Sequence, residues 1–198
     1  MKKTFLILSL VLTSALVFGQ FTIGPKVGYN ASKLSTNLDT VKSNFRSGFQ
    51  FGVFARIGKR VYVQPELYYT TQGGVFESNL NNWKQTVKLG SLDVPVLVGF
   101  KLINNDNLNL RILAGPMASF VVNKTVADTP GGITGPIEDA DINDINWAIQ
   151  AGAGIDLWFL TFDIRYQIGL NNLIKEINTQ SVSSKNSVWL LSLGWKIL

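Results

Sequence analysis

Neither cysteine nor histidine occurs among the 198 residues. Without cysteine there is no disulfide framework, no thiolate metal site and no lipid anchor on a cysteine at a processed N-terminus. Without histidine there is no Ser-His-Asp arrangement and no imidazole metal ligand. General-base chemistry near neutral pH then requires a strongly tuned carboxylate or lysine, so catalysis is not expected. Charge is also scarce: 16% of residues are charged, against about 25% in ordinary soluble domains. The basic residues are scattered and the net charge is only +5, which is no footprint for nucleic acid. Past residue 20, no apolar run approaches the roughly 20 residues of a membrane-spanning helix.

What is present begins with "MKKTFLILSLVLTSALVFGQ". Lys2 and Lys3 precede an apolar stretch from Phe5 to Leu12, and Val17 and Gly19 sit before a cleavage point between Gly19 and Gln20. This is the layout of a secretory signal peptide over residues 1–19, too short to be a spanning helix. Cleavage leaves residues 20–198 as one domain, 179 residues (198 − 19) with net charge +3 (5 − 2). An exported chain without a spanning helix that enters a membrane must do so as a closed barrel, the other structure that satisfies every backbone group in lipid.

Period-two alternation predicts eight strands, near 21–30, 45–57, 60–72, 86–102, 108–122, 147–159, 160–170 and 187–198. In "LTFDIRYQIGL", residues 160–170, the apolar Leu160, Phe162, Ile164, Tyr166, Ile168 and Leu170 alternate with Thr161, Asp163, Arg165 and Gln167. Three connections are tight: Gly58–Lys59, "INNDN" after Leu102, and the junction of Phe159 with Leu160. The other four, near 31–44, 73–85, 123–146 and 171–187, are long and polar. Strict alternation of short and long connections matches an antiparallel up-and-down transmembrane β-barrel with short periplasmic turns and long extracellular loops.

The facing follows from crowding. The complementary positions carry Lys26, Arg46, Gln50, Arg56, Gln64, Glu66, Asp93, Lys101, Arg111, Gln150, Asp156, Asp163, Arg165, Gln167 and Lys196, with Gly48, Gly52, Gly152 and Gly154 among them. An eight-stranded barrel is just wide enough for its own side chains, so a core built only from the Phe, Trp, Tyr, Leu and Val face would be overfilled. The polar face is therefore expected inside and the apolar face against outer-membrane lipid. Tyr29, Tyr69, Trp147, Trp158 and Trp189 suit interfacial girdles. The candidate site is a lumen network of Arg56, Glu66, Asp93, Lys101, Arg111, Asp156, Asp163 and Arg165, in which the carboxylates pair with the cations. A soluble periplasmic lipocalin-like ligand-binding barrel is the reading with the facing reversed.

Several stretches together resemble the PorT-like outer-membrane β-barrel family of Bacteroidota. They are "LDVPVLVGFKL" at 92–102, "LAGPMASF" at 113–120 and "AGAGIDLWFLTFDIRYQIGLNNL" at 151–173, with the terminal strand and the Gln after the expected cleavage point. The resemblance covers essentially the whole mature chain. It implies an outer-membrane location, an eight-stranded barrel, passage through the barrel-assembly machinery, and a possible envelope or secretion-apparatus partner. Most members have no defined activity and no cofactor is implied. Leu198 stands where assembly signals often place an aromatic residue, with Trp195 three positions earlier.

Two short motifs are weaker. Asp139, Asp141 and Asn143 in "EDADINDIN" have the alternate spacing of a calcium loop, but Asp144 replaces its glycine and Gln150 its closing glutamate, so a solvated acidic loop is expected. "DTV" at 39–41 resembles an O-glycosylation acceptor used in this lineage. Two function classes remain: a structural or partner-interaction barrel of the envelope, and a narrow or gated transport barrel for small solutes or ions.

Overall fold

A computed structural model describes residues 21–36, 41–44, 46–78, 83–105, 107–128, 144–171, 176–177, 180–181 and 184–197. The strands are β1 (Phe21–Thr36), β2 (Val41–Asn44), β3 (Arg46–Gly58), β4 (Val61–Ser78), β5 (Trp83–Asn104), β6 (Leu108–Asp128), β7 (Ile145–Leu157), β8 (Leu160–Gly169), β9 (Glu176–Ile177), β10 (Gln180–Ser181) and β11 (Ser184–Trp195). Eight of them form the wall, in the cyclic order β1-β3-β4-β5-β6-β7-β8-β11. The ring closes where β1 pairs antiparallel with β11, from Lys26 opposite Gly194 to Thr36 opposite Ser184. Closure gives each wall strand two ladder neighbours, which leaves no raw edge in lipid. No helix occurs among the described residues.

The wall is held in this facing by the alternation itself. Along β8 the inward Thr161, Asp163, Arg165 and Gln167 are buried, while Phe162, Ile164 and Ile168 are exposed. The same parity runs round the barrel, with Phe49 69% and Phe51 61% exposed on the outside. So continuous an outward apolar belt has no counterpart in a water-soluble barrel, and the reversed facing is set aside. Aromatic pairs border the belt. Tyr29–Phe49 and Tyr166–Trp189 (centroids 5.7 and 4.8 Å apart) lie toward the long connections, and Phe159–Trp195 (5.0 Å) toward the short ones. From Phe21 to Tyr29 the strand advances about 26 Å, close to the belt height of outer-membrane barrels.

Three boundaries differ from the sequence-based expectation. β7 ends at Leu157, and Trp158 and Phe159 form a two-residue turn rather than the end of a strand. Trp158 takes φ = 48°, a left-handed conformation; pairing of Leu157 with Leu160 leaves two residues to reverse the chain, and such tight turns demand positive φ. Gly58, at φ = 129°, serves the preceding tight turn, where a side chain would run into the Val61 carbonyl. The expected loops at 31–44 and 73–85 are largely strand. β5 has 22 residues and β6 has 21; at ~3.3 Å per residue β5 reaches roughly 73 Å, more than twice the hydrocarbon core. The ladder there continues beyond the lipid, as the length of β5 requires.

Candidate functional site

The inward residues stack in layers. Nearest the short turns lies a polar vestibule; next comes a layer of ionised side chains; beyond it are amide, aromatic and thioether groups.

The ionic layer draws on six of the eight wall strands. Lys26 of β1 donates to Glu66 Oε1 at 2.7 Å and to Asp163 Oδ2 at 2.6 Å. Arg165 of β8 grips Glu66 with both terminal nitrogens, at 2.8 and 2.7 Å, and donates to Asp163 Oδ2 at 2.9 Å. Arg111 of β6 reaches Asp156 Oδ1 at 3.0 Å through Nε and, through Nη2, Asp163 and the Thr161 hydroxyl. Arg56 of β3 donates to Asp156 Oδ2 at 2.6 Å and to Gln64 Oε1 at 2.8 Å, and Gln64 passes its own N–H to Glu66 at 2.6 Å. Four cations thus meet three carboxylates, a net +1 (4 − 3).

These charges are buried, Arg111 with 0% of its surface exposed. Desolvating so many ions is costly unless each is paired and hydrogen-bonded. Here each carboxylate accepts from at least two cations, and the Arg165–Glu66 fork is bidentate, the strongest protein ion-pair geometry. Aromatic faces complete the cage: the Arg56 guanidinium lies 5.0 Å from the Tyr62 centroid, and Lys26 Nζ 5.8 Å from that of Phe54. Gly154 makes room, since a Cβ there would lie 2.6 Å from Arg111 Cζ.

Of the eight residues singled out in sequence, Arg56, Glu66, Arg111, Asp156, Asp163 and Arg165 meet in this layer. Asp93 takes a different partner, the Ser119 hydroxyl, and Lys101 is buried in the wall of the vestibule. Lys26, Gln64 and Thr161 complete the layer without having been in the set. Lys26 was already on the inward parity, and its place in the network follows from the register of β1 against β3 and β11, which a linear pattern does not contain.

Beyond the ions, Gln150 Nε2 donates to the Tyr68 hydroxyl at 2.9 Å and to Gln167 Oε1 at 3.0 Å, beside Met117. Leu97, Leu113 and Leu190 are buried on the inward face as well, so the filling is more apolar than a lumen of charges and glycines. Toward the long connections, the space beside Met117, Ser119 and Gln167 is only ≈ 20 Å³, about one water. At the other end, a cavity of ≈ 660 Å³ lies against Arg56 and Asp156.

Among the described residues no group of three or more acidic side chains has the arrangement of a metal site. Asp139, Asp141, Asn143, Asp39, Thr40, the side chain of Arg46 and residues 1–19 fall outside the described set. Lys124 and Asp144 form an exposed ion pair of 2.7 Å at the rim.

The family model for the outer membrane protein beta-barrel domain matches residues 14–175. No curated protein sequence matches significantly. Among solved structures, the outer membrane protein OprG from Pseudomonas aeruginosa superposes with a TM-score of 0.56 at 12% identity, covering 90% of this chain and 96% of that one. Ail, the attachment invasion locus protein of Yersinia pestis, solved in complex with the heparin analogue sucrose octasulfate, gives 0.45 at 15% identity, covering 89% and 99%. Neisserial surface protein A gives 0.48 at 12% identity, covering 88% and 97%.

Proposed function

This chain belongs to the outer membrane protein β-barrel domain family and resides in the outer membrane, and we propose that it acts there as a closed, non-conducting scaffold whose outer strands meet a partner. The observation that carries the reading is the ionic layer. Seven mutually paired side chains from six strands cross the lumen, and a path for solutes would have to separate them, leaving buried charges uncompensated at a cost of about 3–5 kcal/mol each. A wall so cross-linked is a rigid support. Above it, β4, β5 and β6 extend past the aromatic girdle, and it is there that an envelope or secretion-apparatus protein would meet the barrel.

Several finer assignments belong to the same proposal. Residues 1–19 are a signal peptide cleaved before Gln20, the chain is a PorT-like member of the Bacteroidota, and the barrel-assembly machinery inserts it. The absence of histidine supports a non-enzymatic role. The second reading, a narrow ion path, draws on the layer's residual +1 charge.

Planar-bilayer recording of the purified barrel tests the proposal, with N-terminal sequencing of protein from the outer-membrane fraction. Silence across the membrane and a mature N-terminus at residue 20 are the expected results. Steady unitary conductance by the native barrel would refute the scaffold reading in favour of transport.

A further inference from the structure

On one side of the barrel the outward faces of four neighbouring strands turn from apolar to polar above the girdle. Phe49 gives way to Ser47 on β3, Tyr69 to Thr71 on β4, Leu92 to Gly90 and Lys88 on β5, and Phe120 to Asn123 and Thr125 on β6. At the corresponding ends of β7 and β8 the outward Ile145 and Leu170 stay apolar. Between the four strands lies a depression of ≈ 270 Å³, lined by Ser47, Tyr69, Thr71, Lys88, Asn123 and Thr125, with the volume of about nine waters. A β-bulge builds it. Ser91 lies opposite Val121 and Gly90 opposite Asn123, so Val122 is an extra residue in β6. Without it, Asn123 and Thr125 would keep the inward parity of Ser119; with it, they face the membrane side. Asn123 Nδ2 then donates to the Tyr69 hydroxyl at 3.3 Å, and that hydroxyl lies over Gly90, where any Cβ would strike it. The Thr71 hydroxyl is engaged by the Phe49 backbone. Lys88 is exposed, with no partner among the described residues, and no carboxylate is among the lining residues.

We propose that this depression binds the phosphorylated saccharide headgroup of an outer-leaflet lipid. The long connections of such barrels face the cell exterior, so a polar hollow directly above the apolar belt lies at the depth of outer-leaflet headgroups. The Lys88 ammonium supplies a charge-assisted hydrogen bond to a phosphate oxygen. The hydroxyls of Ser47 and Thr125 and the Asn123 amide both donate and accept, which matches the hydroxyls of a sugar. Just below, the Phe51 and Tyr69 rings pair with centroids 5.6 Å apart, and Leu92 continues the belt. Acyl chains running down over these side chains hold the headgroup in the hollow.

Native mass spectrometry of the folded barrel in detergent tests the site. One arm titrates bisphosphorylated lipid A and the other the same lipid A with its phosphates removed. One lipid per barrel is expected to bind tighter in the phosphorylated arm. Lys88→Gln is expected to weaken that binding about tenfold, the loss of one charge-assisted hydrogen bond, while Lys59→Gln, the same change of charge in the tight turn at the opposite end, leaves it unchanged. Equal affinity for the two lipids, native affinity in Lys88→Gln, or equal weakening by Lys59→Gln would overturn the proposal. Both lysines lie outside the ionic layer, and the heat-dependent gel shift verifies folding of each variant. The titration is independent of conductance and of any protein partner, so its failure and that of the scaffold reading are separable.

Discussion

Asp163→Asn changes one atom at the centre of the ionic layer. Asp163 accepts from Lys26 at 2.6 Å, from Arg165 at 2.9 Å and from Arg111. The amide keeps the shape but removes the charge, raising the layer from +1 to +2 (4 − 2), and turns either a donor or a weaker acceptor toward three cations. Removing one partner of a buried pair costs about 3–5 kcal/mol. Here each cation keeps a second carboxylate, Lys26 and Arg165 on Glu66 and Arg111 on Asp156, so the lower end applies. About 3 kcal/mol corresponds to more than a hundredfold shift in the folding equilibrium. Reversible urea unfolding in lipid vesicles, followed by tryptophan fluorescence, measures it. Adding Lys26→Met returns the layer to +1 (3 − 2) and is expected to recover at least 1 kcal/mol through coupling of neighbours. A single-variant loss below ~0.5 kcal/mol, the size of an indifferent surface change, would refute the claim that these charges are mutually dependent. Strict additivity of the two substitutions would refute it equally.

Three further outcomes follow from the same geometry. Replacing Arg111 and Arg165 together by alanine removes the side chains that cross the lumen, and small cation conductance is expected in bilayers where the native barrel is silent; continued silence would mean that the Tyr68, Met117 and Gln150 layer seals the barrel alone. Gly154→Ala forces a methyl group against the Asp163 carboxylate and the Arg111 guanidinium, at a cost of roughly 1–3 kcal/mol for overpacking, read as a lower temperature for loss of the gel shift; unchanged stability would show that Asp163 and Arg111 have room to move. Val53→Arg, on the outward face between the two girdles, is expected to cost about 2–4 kcal/mol in vesicles; a neutral result would place Val53 away from the bilayer midplane.

Much of the barrel is legible in the linear pattern because side-chain direction in a strand has a period of exactly two. Once Phe162, Ile164 and Ile168 are assigned to one face, Asp163 and Arg165 must share the other. The limits of the strands were less legible. Residues 31–44 and 73–85 are polar, and polarity marks water rather than irregular backbone, so strand continuing beyond the lipid reads as loop. Phe159 illustrates the opposite failure: a bulky aromatic in the parity of β7 looks like strand, yet the two-residue reversal at Trp158 and Phe159 overrides its preference.

The amino-acid sequence by itself determined the parity, the inward set of charged residues, the tight turns and the absence of histidine and cysteine chemistry, all properties of residue type and local spacing. Only the tertiary structure decided which inward groups meet. Lys26 and Asp163 are 137 positions apart, and Glu66 and Arg165 are 99 apart. Their contact depends on the stagger of eight strands when the sheet closes, a property of the whole ring.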